Sequence, residues 1–120
     1  MKKSKLLGLG LVAVLIATLV SACSPGKLDV SNVTAIIDVR AEADFNTSHI
    51  VGAINNDFYE PGFSTRATSL IRSGVYYLYG DDEKQVIQAI EEMRLLGFAN
   101  LTNLGSFEEA QQLLPLGVTN

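Results

Sequence analysis

The sequence predicts a small α/β domain: a parallel sheet flanked by helices on both faces. Two observations carry this. Two runs, Val33–Val39 (VTAIIDV) and Val75–Tyr79 (VYYLY), are nearly continuous apolar stretches rich in β-branched and aromatic residues, the pattern of strands buried on both faces. Between and after them lie segments of helical period, and strands separated by helices imply right-handed crossovers within one parallel sheet.

Residues 1–22 are read as a leader. Lys2, Lys3 and Lys5 precede an uncharged run from Leu6 to Val20, and the small residues Ser21 and Ala22 follow just before Cys23. The run is shorter than the roughly 20 residues a spanning helix requires, and its layout is that of a secretory signal peptide. Val20-Ser21-Ala22-Cys23 further resembles a bacterial lipobox. That resemblance implies a diacylglyceryl group on the Cys23 thiol, cleavage before it, and attachment to a membrane through that lipid. Cys23 is the only cysteine, so no disulfide forms within the chain, and lipidation would remove its thiol from redox chemistry. Two or three acyl chains meet the two-signal requirement for stable anchoring.

From residue 23 onward 98 residues remain, enough for one domain with a single core. Six Lys/Arg there oppose thirteen Asp/Glu, a net charge of −7. Such a surface excludes nucleic acid as a natural partner and disfavours anionic lipid. Residues 23–32 are expected to form the tether, 33–115 the domain and 116–120 a C-terminal tail.

The elements follow in order. After the strand at 33–39, AEADFNTSHI offers a short helical turn, and Ala53-Ile54-Asn55 a brief strand. STRATSLIRSG opens with capping residues and stops at Gly74, as a helix does. From Lys84 to Leu96, Val86, Ile90 and Met93 share one face with Ile87, Ala89 and Leu96 beside them, and Gly97 ends the helix. NLTNL is the last strand, and SFEEAQQLL the last helix, halted by Pro115.

Ligands of such sheets bind beyond the carboxyl ends of the strands. Those ends place Asp38, Val39 and Arg40 at one loop and Gly80, Asp81, Asp82, Glu83 and Lys84 at the next. The segment IIDVRAEADFNTSHIVGAIN, residues 36–55, resembles the opening signature of rhodanese-like domains, with Asp38, Arg40, Phe45, His49, Ile50, Gly52 and Ala53 in register and Ser48 replacing a glycine. GFANLTNLGSFEEA resembles the family's closing strand and turn through Gly97, Leu104, Gly105 and Phe107. There Ser106 replaces the second glycine, and Ala110 stands where a tryptophan is usual. The resemblance implies a persulfide-forming cysteine in a loop whose amides and helix N-terminus favour a thiolate and an anionic donor. Its spacing puts that cysteine at Gly80, the loop glycine at Glu83 and the basic position at Gln85.

Without a sulfur in the loop, the expectation is a non-catalytic, membrane-anchored member of the family acting as a binding or scaffolding module toward a protein or small ligand. The alternative is a sulfur-handling or cation-dependent enzyme working at the acidic loop. Asp38, Arg40, Gly80, Asp81, Asp82 and Glu83 are taken as loop-organising residues, Asp82 as an N-cap with Gln85 at N3. His49, Gly52 and Ala53 are taken as scaffold of the motif; a lone histidine makes no metal site. Oxygen ligands from Asp38, Asp81, Asp82 and Glu83 would suit a hard cation, but their spacing is irregular. No cofactor or metal is expected. Phe58, Tyr59 and Phe63 are read as lid and core packing or as an interaction patch.

Overall fold

The computed structural model describes residues 26–120, so the signal peptide and Cys23 lie outside the described residues. Strand β1 (Ala35–Asp38) is followed by helix α1 (Glu42–Thr47), the short strands β2 (His49–Ile50) and β3 (Ile54–Asn55), and helix α2 (Phe63–Ala67). Strand β4 (Val75–Gly80), helix α3 (Glu83–Leu95), strand β5 (Asn100–Ser106), helix α4 (Phe107–Leu113) and strand β6 (Val118–Thr119) complete the chain. β3, β1, β4 and β5 form a parallel sheet in that order. Each crossover carries the chain back over a face, so both faces are covered and the strands read as unbroken apolar runs.

Alternation along the strands builds two cores. Ile37, Val39, Tyr76 and Leu78 face α2 and α3 and pack with Phe63, Ala67, Val86, Ala89, Ile90 and Met93. Ile36, Tyr79 and Leu104 face the other way, against Ile50, Ala53, Ala110 and Leu114. In this second core Ala110 is fully buried, a small residue on the inward face of α4.

Four features differ from the sequence reading. The helix expected over 64–74 ends at Ala67: the Thr68 and Ser69 hydroxyls donate to the Thr65 and Arg66 carbonyls at 2.6 and 2.7 Å, competing with further helix ladder. On α3 the inward face carries Gln85, while Ile87 is 41 % exposed. The tether is partly domain. Leu28, Val30 and Val33 pack on the second core, and the Leu28 N–H donates to the Leu113 carbonyl at 2.8 Å. The C-terminal tail is partly sheet as well, Val118 and Thr119 pairing antiparallel with Ile50 and His49. Both additions cover apolar surface and strand edge that a domain ending at 33 and 115 would leave open.

Candidate functional site

Asp38 ends β1 inside the protein, and its carboxylate is spent on the chain immediately after it. It accepts from the Arg40 backbone N–H at 2.9 Å and from the Arg40 guanidinium at 2.7–3.2 Å, forming a buried ion pair. The guanidinium also donates to the Ser48 carbonyl at 2.7 Å and lies over the Phe107 ring, 4.1 Å from its centroid. Burial works against the Arg40 charge, but the hydrogen bonds and charge of Asp38 outweigh it and raise the guanidinium above its ordinary value. The pair thereby ties the β1 loop to the end of α1 and the start of α4.

The motif around residue 49 is scaffold. His49 stacks on Phe45 at 3.7 Å, and its Nδ1 lies 2.8 Å from the Phe45 carbonyl. A carbonyl only accepts, so Nδ1 carries the proton. Gly52 has φ +86° with open space around it, so the left-handed turn, not crowding, selects glycine there. Ala53 is buried in the second core. Nearby, the Tyr79 hydroxyl accepts from the Ile50 N–H at 3.0 Å, and burial pushes this phenol's pKa up.

Gly80 stands opposite Ser106 after a register shift in the β4–β5 ladder. Its φ is not positive, so space rather than torsion reserves the position. A Cβ there would collide with the Gln85 Oε1 and approach the Val39 and Val86 methyls at 3.0 and 3.1 Å. Gln85 is buried, and its carboxamide spans the loop: Oε1 accepts from the Asp81 N–H at 2.7 Å and Nε2 donates to the Val39 carbonyl at 3.2 Å. Asp82 accepts from the Gln85 N–H at 2.9 Å, the N-cap read from the sequence. The reciprocal half of that capping box is absent, because the Gln85 side chain reaches one residue further back, to Asp81. Two loop amides that face an anion in a nest are here bonded internally.

The acidic residues diverge. Asp38 is held by Arg40 and Asp82 by the helix start, while Asp81 accepts a long 3.4 Å hydrogen bond from the Tyr59 hydroxyl. Burial, with Asp44 and Asp38 adding negative charge, raises the Asp81 carboxyl above its usual range, against the opposing pull of Arg40 and Tyr59. Glu83 borders a separate cleft with Asn103, Gly105 and Glu109. Among the described residues no three His, Cys, Asp or Glu side chains converge as metal ligands.

Three organisers escaped the sequence reading. Asp57 accepts from the Glu42 N–H at 3.3 Å and from the Tyr59 N–H at 2.9 Å, joining α1 to the 56–62 loop. Arg66 fixes the same loop by donating to Asn56 Oδ1 and to the Pro61 and Asp57 carbonyls at 2.7–3.0 Å. Asn55 donates to the Asp38 and Arg40 carbonyls, both at 3.0 Å. Asp57 and Arg66 line a cleft of ≈ 590 Å³ with Glu42, Phe45, Asn46 and Glu60, and no residue of the Gly80 loop is part of its lining. These three organisers left no local signal, whereas Gln85, read from the sequence as the N3 residue, left a further one: four residues before Ala89, it sits on the apolar stripe of α3. Phe58 and Phe63 meet edge to face at 5.1 Å within the core, whereas Tyr59 is 66 % exposed.

The model of the rhodanese-like domain matches residues 26–113. The chain belongs to the rhodanese-like domain family. Solved structures agree with this rhodanese-like fold. A rhodanese_3-like domain from an Anabaena sp. protein is 29 % identical, with 72 % of this chain and 98 % of that one covered at a TM-score of 0.64. A full-length protein from Lactobacillus plantarum is 22 % identical over 98 % of both chains, with a TM-score of 0.59. A rhodanese from E. coli, described with anions, is 22 % identical over 72 % of this chain and 96 % of its own, at 0.57. Among curated proteins none matches significantly. The last two likenesses are of fold alone. In the rhodanese-like frame, the Asp38–Arg40 pair ties down the loop at the carboxyl edge of the sheet, while the turn at Gly52 lies at the amino edge beside Thr34 and Ala35.

Proposed function

We propose that this rhodanese-like domain is a non-catalytic binding or scaffolding module, carried outside the cytoplasm as a lipoprotein anchored through Cys23. The observation behind it is Gln85: its carboxamide fills the space a side chain at position 80 would need and occupies the Asp81 N–H and Val39 carbonyl. Sulfur transfer through a persulfide requires a thiolate in that space and free amides around an anionic donor. Here Gly80 offers no sulfur, and Asp81, Asp82 and Glu83 repel anions. The E. coli rhodanese described with anions marks the contrast. The enzyme alternative lacks comparable support, since Asp38, Asp81 and Asp82 each serve a different partner and Glu83 borders a separate cleft.

The test is cyanide-dependent sulfur transfer from thiosulfate, with the natural protein and with Gly80→Cys. Both are expected to be silent, the variant because its side chain must first displace the Gln85 carboxamide and because Asp81, Asp82 and Glu83 still repel an anionic donor. Turnover by the natural protein would refute the reading and send the search to another nucleophile.

A further inference from the structure

Three apolar side chains crowd the edge of the domain opposite the Gly80 loop. Val51 and Val118 are 45 and 43 % exposed, and half-buried Leu116 lines an apolar cleft there with Val30, Val33, Ile36 and Val51. They are held together by backbone bonds: Val51 N–H to the Gly117 carbonyl at 2.9 Å, and Val118 in register with Ile50. The same cleft includes Thr34 and Ala35, the start of β1, so this is the amino edge of the sheet.

The chain enters the domain at this edge. Leu28 is pinned to the Leu113 carbonyl, and the Lys27 ammonium donates to the Gln112 carbonyl at 2.6 Å. Cys23 precedes Leu28 by five residues, which reach at most about 17 Å when fully extended. The six residues of β4, running from this edge to Gly80, cover about the same distance. A lipid on Cys23 therefore brings the apolar edge to the bilayer before any other face can arrive.

We propose that the Val51–Leu116–Val118 edge rests on the bilayer surface, so that the Gly80 loop points away from the membrane, open to a partner in solution. This rests on the lipid anchor proposed above. Its occupant is lipid rather than a second copy, because the short tether fixes this edge at the membrane. Neutral headgroups suit it, since the net charge of −7 from residue 23 onward opposes an anionic surface.

Lipid on Cys23 also blocks the only native thiol, so added cysteines can be spin-labelled singly. Val118→Cys, Val51→Cys and Lys84→Cys are produced from the full chain in a bacterial host, checked by circular dichroism and placed in phosphatidylcholine vesicles. Mass spectrometry of the N-terminal peptide reports the anchor independently of orientation. Labels at 118 and 51 are expected to collide several-fold more with lipid-dissolved oxygen than with a water-soluble nickel chelate, and the label at 84 the reverse. Solution-like labels at both 51 and 118 on a chain whose lipid is confirmed would overturn the orientation alone. A lipid-facing label at 84 would do the same. An unmodified Cys23 would sink the anchor and, with it, the occupant of this edge.

Discussion

Replacing Gly80 with alanine tests whether Gln85 truly plugs the loop. The added Cβ cannot coexist with the Gln85 Oε1, so the carboxamide must leave. Its departure removes one of the two hydrogen bonds on the Val39 carbonyl, leaving that from the Phe58 N–H at 3.1 Å, and frees the Asp81 N–H. Two lost hydrogen bonds at about 1 kcal/mol each amount to about 2 kcal/mol. The approaches to the Val39 and Val86 methyls at 3.0 and 3.1 Å remain and add about 1 kcal/mol of overpacking. Gly80→Ala should therefore destabilise the domain by about 3 kcal/mol, and Gln85→Ala by about 2 kcal/mol through the same lost bonds. The double variant should cost about 3 kcal/mol rather than 5, because the bonds are lost only once, a coupling of about 2 kcal/mol. Urea unfolding of the chain from residue 24 onward, followed by circular dichroism, measures all four corners of the cycle. Additive costs would show that position 80 and Gln85 do not contend for one space, and the blocked cradle would have to be abandoned.

Two further substitutions probe the surrounding loops. Asp38→Ala leaves the buried Arg40 guanidinium without its carboxylate and should lower stability by about 3 kcal/mol or more; a shift in urea midpoint worth under 1 kcal/mol would mean Arg40 finds water instead. Asp81→Asn removes a carboxyl whose folded-state pKa lies above its ordinary value. The folded protein then takes up that proton more readily than the unfolded chain, so ionisation weakens the fold at neutral pH and the penalty fades as pH falls through the carboxylate range. The asparagine variant should thus be slightly more stable than the natural protein at pH 7, within about 0.5 kcal/mol for so exposed a group. The two should converge on acidification, and a natural protein that is the more stable at pH 7 would contradict this.

Much of the fold was legible because it is written locally. The runs at 33–39 and 75–79 became β1 and β4, the stripe of Val86, Ala89, Ile90 and Met93 became the buried face of α3, and Asp82 capped it. Those signals depend on residues a few positions apart, which hydrophobic period and capping chemistry report directly. The substitution of Ser106 for a motif glycine was also readable as a local event: its hydroxyl accepts from Glu109 N–H and its own N–H donates to the Glu109 carboxylate, a capping box at the start of α4.

What the sequence by itself determined, then, is the order of the main strands and helices, the absence of any cysteine after Cys23, and the acidic sign of the 81–83 loop. Tertiary structure alone decided what fills the site. The Gln85 carboxamide reaches Val39, 46 positions away, and Asp57 reaches the start of α1 from 15 positions on. It also decided that Leu28 and Val118 belong to the domain, through bonds to Leu113 and Ile50. A polar side chain in a helix carries no mark of its distant partner, and the two-residue strands β2 and β6 carry too little period to be seen. Both are selected only when the completed sheet leaves a donor, an acceptor or an edge that must be satisfied.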